Sequence, residues 1–236
     1  MNYPILSYRI FPLGDSAVTI DFGNVIDEAT NKKVLALSQA ISADPLPGMI
    51  EAIPAYCSLT VCYDVFSISK TLAAGTSVYE FISGLLKKRL DQPLKKTGEP
   101  ARIVDIPVCY EEKFAPDIEQ LAKEKNISVE EVIRLHSSKQ YRVYMLGFLP
   151  GFSYMGEVDE KISISRKSQP VMVAAGSIGI AGRQTGIYPL ASPGGWQIIG
   201  RTPLKLFDTE RKESTLLKAG DIVQFISISK NEFESY

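Results

Sequence analysis

Residues 168–200 read SQPVMVAAGSIGIAGRQTGIYPLASPGGWQIIG and carry a single charged side chain, Arg183. Over a stretch of this length, the chain's 22% content of charged residues would give about seven. Apolar residues come in short runs broken by glycine and proline, which is the text of short strands joined by tight turns. Ten of the chain's seventeen glycines fall between Gly147 and Gly200, and the sequence reads as β from residue 140 onward. The stretch therefore predicts a C-terminal β-barrel or sandwich-like domain. Its glycines have two readings. They can turn the corners of a tight barrel, or they can let backbone approach a ligand or partner closely. Glycine density alone favours the corners. Gly194 and Gly195, just before Trp196, are expected to occupy a turn that needs positive φ.

The second reading has candidate residues. Gln184, Thr185, Tyr188 and Ser192 set neutral donors and acceptors among apolar neighbours, as a pocket for a small polar ligand does. Arg183, and Arg201 just beyond the stretch, could each clamp a carboxylate or phosphate, or could simply sit on surface turns. Trp196 could line an interface rim or fill the core. His136 is the chain's only histidine. It ends a helix-like segment, SVEEVIRLHSS, where a helix-terminal or partner-facing place is favoured over a catalytic one.

Outward from this stretch the text changes. Residues 102–107 read as a strand, followed by one helix from about 116–117 and another from Ser128, where Ser128 and Glu131 have capping-box spacing. Before them QPLKKTGEP (92–100) is polar and holds two prolines and a glycine, so it is the candidate linker. The first ninety residues alternate strand and helix. Residues 17–22, 49–53 and 58–63 read as strands. Asp27 caps a helix to about 43, and Ser77 with Glu80 opens another ending near 90. This order predicts a compact α+β sandwich with helices on one face of a sheet.

Composition narrows the function classes. Lys plus Arg is 26 and Asp plus Glu is 27, a net charge of −1, which gives no reason to expect nucleic acid or an acidic membrane as partner. The N-terminus MNYPILSYRIFPLGD has no basic segment followed by a sustained apolar run, and no apolar run approaches the ~20 residues of a membrane span, so a cytoplasmic protein is expected. Three cysteines without a CxxC spacing read as reduced thiols, and one histidine excludes a His-rich metal centre. There is no GxxxxGK[ST], no GxGxxG and no GxSxG, so this chain carries no recognisable motif for ATP or a dinucleotide and no nucleophile elbow.

Six blocks together resemble a known family: PLGDSAVTIDFGN (12–24), PAYCSLTVCYD (54–64), IPVCY (106–110) with VIRLHSS (132–138), YRVYMLGFLPGFSYMG (141–156), AGSIGIAGRQTGIYPLASPGGWQIIGRTPLKLFD (175–208) and AGDIVQF (219–225). They are similar to the signature blocks of the 5-oxoprolinase B subunit, a family that also includes a sporulation kinase inhibitor and is described as allophanate hydrolase subunit 1-like. The resemblance covers nearly the whole chain, in order. It implies an N-terminal ferredoxin-like α/β domain (1–95) and a C-terminal cyclophilin-like β-barrel (96–236). It implies work with a C subunit of related barrel architecture and an A subunit, in a complex that uses ATP to open 5-oxoproline to L-glutamate. The alternative it implies is an inhibitor that binds a sporulation histidine kinase and blocks autophosphorylation. The groove expected to serve either role is 176–200, with Gln184, Thr185, Tyr188, Ser192 and Arg201 foremost. No base is evident there, so an incomplete site, finished by a partner, is expected.

Overall fold

The computed structural model describes residues 7–93 and 100–236. Most of the expected linker, residues 94–99, lies outside the described residues. The chain forms two compact units, Met1–Pro100 and Ala101–Tyr236.

In the first unit the elements run β1 (Arg9–Pro12), β2 (Ala17–Asp21), α1 (Glu28–Ala43), β3 (Met49–Pro54), β4 (Ser58–Tyr63), α2 (Val65–Ser69) and α3 (Val78–Leu90). The sheet order is β1-β2-β4-β3 and every pairing is antiparallel. From β2 onward this is a ferredoxin-like βαββα succession. The N-terminal β1 supplies the edge beside β2. Strand alternation decides the layers. Leu59, Val61 and Tyr63 of β4 are buried while their neighbours are half-buried, and Val34, Leu37 and Ile41 of α1 with Ile82 and Leu86 of α3 complete the core. Asp27 caps α1 by accepting from the Thr30 N–H, and Ser77 and Glu80 form the reciprocal capping box of α3.

The second unit runs β5 (Ile103–Val108), α4 (Ile118–Lys125), α5 (Val129–Ser137), β6 (Gln140–Leu146), β7 (Ser153–Gly156), a 3-10 turn (Glu160–Ile162), β8 (Val171–Val173), β9 (Ser177–Ala181), β10 (Gln184–Ile187), β11 (Ser192–Gly194), β12 (Gln197–Arg201), β13 (Ile222–Ser227) and α6 (Lys230–Glu234). Seven strands form one sheet in the order β12-β9-β10-β7-β6-β13-β5, with β8 and β11 as a separate pair. Beyond the end of β5, Cys109 exchanges two backbone hydrogen bonds with Arg201 of β12, at 2.9 and 3.0 Å. The two edge strands thus meet and the sheet is nearly closed into a barrel, which removes most of its free edge. Gly200 makes this meeting close, since a Cβ there would lie 2.7 Å from Val108. Ile106, Val143, Met155, Ile178, Ile180, Ile187, Val223 and Phe225 fill the interior together with α4 and α5. Among the described residues no helix is long and apolar enough to cross a membrane.

Candidate functional site

Strand β9 is buried at all five positions, SIGIA. Ile178 and Ile180 point into the barrel core. The other face is covered by Trp196, whose Cβ would stand 2.8 Å from a side chain at Gly179. On β10 a side chain at Gly186 would meet the Trp196 ring at 3.1 Å and the Phe152 ring at 3.2 Å. At Gly194 it would meet the Tyr188 hydroxyl at 2.5 Å. The glycines therefore make room on the outside of the barrel for a second, aromatic cluster of Phe152, Tyr188 and Trp196 with Val173, Ala181 and Ile198. Phe152 is its hub, with centroids 5.0 Å from Tyr188, 5.5 Å from Trp196 and 4.7 Å from Tyr154. The first two contacts are edge-to-face, the arrangement ring quadrupoles favour. Neither Gly194 nor Gly195 has positive φ. Close approach, and not turn geometry, is what excludes a side chain from Gly194.

Above this cluster lies a cavity of about 760 Å³. That is a volume typical of small-molecule sites. Phe152, Tyr154, Tyr188 and Trp196 give it an aromatic floor; Gln184, Ser165 and Arg166 also line it. Phe148 stands at its rim, 62% exposed, with φ +69°. Left-handed backbone is costly for a bulky residue, and such outliers cluster at functional sites. Burial raises the Tyr188 hydroxyl above its usual range, opposed by the backbone N–H of Trp196 and the Arg166 charge. Burial raises Tyr154 as well. Both phenols are therefore protonated at neutral pH.

The residues singled out in the sequence divide three ways. Gln184, Tyr188 and Trp196 line the cavity. His136 and Thr185 do not, and their placement corrects the expectation. Both are fully buried inside the barrel, where His136 Nδ1 lies 2.8 Å from the Tyr110 hydroxyl and Nε2 lies 3.1 Å from Thr185 Oγ1. Thr185 Oγ1 donates to the Gly179 carbonyl, so its lone pairs face His136. The chain of donors then runs from Tyr110 O–H to Nδ1 and from Nε2–H to Thr185. Every polar atom is satisfied, and the imidazole stacks on Phe225 at 4.5 Å. Burial pushes its pKa down to about 3, so it is a neutral core residue and not a helix terminus cap. Ser192 is buried with its hydroxyl unpartnered. Arg183 and Arg201 lie outside the cavity lining. Arg183 is exposed and pairs with Glu157 at 2.8 Å; Arg201 donates from Nε to the Ala175 carbonyl.

Arg166, Phe148, Phe152 and Tyr154 are among the lining residues that sequence reading did not single out. Arg166 stands two places before the charge-poor stretch, and the three aromatics crowd into FLPGFSY (148–154). That local density of rings beside two glycines was the available signal.

Residues 8–217 match the model of the carboxyltransferase domain, subdomain C and D, family. The chain is 47% identical over 231 residues to the 5-oxoprolinase B subunit of Bacillus subtilis (strain 168), covering 97% of this chain and 96% of that protein. The chain belongs to the 5-oxoprolinase B-subunit family. A crystal structure of TTHA0988 superposes on this family member with a TM-score of 0.76 at 35% identity, covering 91% of this chain but 40% of the other. The chain thus spans two fifths of that structural relative. Urea carboxylase of Kluyveromyces lactis shares the same fold, with a TM-score of 0.75 at 18% identity over 97% of this chain and 22% of its own.

Proposed function

We propose that this chain is the B subunit of an ATP-dependent 5-oxoprolinase and acts with the A and C subunits to open 5-oxoproline to L-glutamate. The observation that carries the reading is the near full-length identity to the Bacillus subtilis B subunit. The cavity suits the role of holding a small polar amide. Tyr188 accepts from the Trp196 backbone N–H and offers its own hydroxyl proton as a donor, and the aromatic floor excludes water from one face of a bound ring.

The cavity does not suit the whole reaction. Opening a lactam adds water across its C–N bond and needs a base to activate that water. Among the described residues no carboxylate or histidine lines the cavity, and His136 is sealed in the barrel core. The sequence has no glycine-rich phosphate loop, and Arg166 is the one cation among the described lining residues, which supports placing ATP on another subunit. ATP use and the hydrolytic groups are accordingly assigned to the partner subunits. Phe148, Val171, Met172 and Leu190 are exposed apolar residues on the segments around the cavity, a surface that a protein partner would cover.

The test is co-purification of the chain with the A and C subunits, followed by an assay of ATP-dependent glutamate release from 5-oxoproline. Turnover is expected from the reconstituted complex and none from the chain alone. A chain that fails to associate, but binds a sporulation histidine kinase and lowers its autophosphorylation, would replace this reading with the inhibitor one.

A further inference from the structure

We propose that the cavity is a carboxylate subsite, in which Arg166 takes the carboxylate of a small planar acid whose ring lies on Tyr154, Tyr188 and Trp196. The charge of the cavity leads to this. Lys167 and Arg166 are adjacent cations with opposite fates. Lys167 pairs with Asp117 at 2.6 Å, and Asp117 is itself held by the backbone N–H of Ile198. Arg166 has no ion pair or hydrogen bond among the described residues, and no carboxylate lines the cavity it faces.

Its position is built. The Lys167 N–H donates to the Gly195 carbonyl at 2.7 Å, and the Gln197 side chain donates to the Ser165 carbonyl at 3.1 Å, so the backbone on both sides of Arg166 is tied to the 195–197 strand entry. Gly195 leaves the room that the guanidinium uses, since a Cβ there would lie 3.3 Å from one of its nitrogens. The Arg166 charge reaches the Tyr154 and Tyr188 hydroxyls, so donor and cation act on one space. An unpaired guanidinium on an apolar wall selects an anion and favours the bidentate geometry of a carboxylate. Tyr188 adds a donor for a carbonyl. On the reading proposed above, 5-oxoproline supplies both groups.

The chain's only tryptophan is Trp196, so its fluorescence reports this cavity alone. In the free chain, 5-oxoproline is expected to change that fluorescence saturably. Arg166→Gln should weaken the binding about ten- to a hundredfold with an unchanged Tm, as expected for loss of a charge-assisted pair at an exposed residue. 2-Pyrrolidone, the same ring without a carboxylate, should bind both chains alike. In the reconstituted complex Arg166→Gln should raise KM more than it lowers kcat. Equal affinity of both chains for 5-oxoproline, or no saturable change, overturns the subsite. Turnover by the complex with an unchanged KM in Arg166→Gln also overturns it while leaving the oxoprolinase reading intact. A complex without oxoprolinase activity, whose free chain still binds the acid through Arg166, retains the subsite and removes that reading.

Discussion

His136 is neutral in the folded chain because it is fully buried, and among the described residues it packs against Tyr110, Thr185, Tyr141 and the face of Phe225, with no carboxylate beside it. An ordinary imidazole titrates near 6.5; this one is held down to about 3 by burial. Between those values the unfolded chain binds a proton that the folded chain refuses. Stability should therefore fall as pH drops below about 6.5, by up to roughly 1.4 kcal/mol per pH unit from this group. Denaturant unfolding across a pH series measures the slope, and the single histidine ring signal in NMR should not titrate between pH 5 and 8. Strand parity sets a second contrast. Gln184 and Thr185 are neighbours on β10 and so face opposite sides. Thr185→Val leaves the imidazole N–H without an acceptor and should cost about 1–3 kcal/mol. Gln184→Ala, at the cavity wall, should cost under about 1 kcal/mol. Thermal melts of the two variants decide this. The sequence reading placed His136 at a helix end or partner face and Thr185 in the groove with Gln184, yet the periodicity that separates them was present. Val132, Leu135 and His136 fall on one buried helix face at i, i+3 and i+4, and period two on 184–187 separates Gln184 from Thr185. The pairing of His136 with Thr185, 49 residues apart, was not legible, because it depends on how the barrel closes around α5.

At the scale of elements, the same residue type has three different meanings. Gly84 lies inside α3 with no positive φ and open space where a Cβ would go, so Gly84→Ala should stabilise by about 0.5–1 kcal/mol. Gly182 also has open space but φ +59°, so alanine there should cost about 1 kcal/mol. Gly194 has ordinary φ but would drive a methyl into the Tyr188 ring at 2.5–2.8 Å, so Gly194→Ala should cost about 1–3 kcal/mol and shift the Trp196 emission. Melting temperatures of the three variants should rank in that order, and a stabilised Gly194→Ala would refute the account of the aromatic cluster. Elements with local signals were readable. β4 alternates cleanly, and α3 and α5 begin at Ser77 and Ser128 as their capping residues announce. β1, α2 and the β8–β11 pair were not. RIFP and VMV carry no alternation of burial long enough to read, and they are strands because β2 and β11 lie beside them.

The whole molecule divides its cores as it divides its chain. One apolar cluster is drawn entirely from residues before 91, and the barrel and aromatic clusters are drawn entirely from residues after 103. The change from alternating strand and helix to glycine-rich β text foreshadowed two architectures. The barrel's closure was not foreshadowed, because it involves a bridge between Cys109 and Arg201, 92 positions apart in the chain, and no local pattern marks such a pair. A unit that holds its own core, and whose sheet edges meet each other, has what independent folding requires. Residues 101–236 produced alone should therefore melt in one cooperative transition. That fragment contains His136 and Trp196, so it should also keep the loss of stability below about pH 6.5 and the saturable response of Trp196 to 5-oxoproline. Circular dichroism melts at pH 7 and pH 5, with a fluorescence titration beside them, test all three on one sample. A fragment that is unfolded at pH 7 would show that the barrel depends on the first hundred residues. A folded fragment whose stability is the same at both pH values would show that the imidazole is not sealed as the Tyr110–His136–Thr185 chain requires.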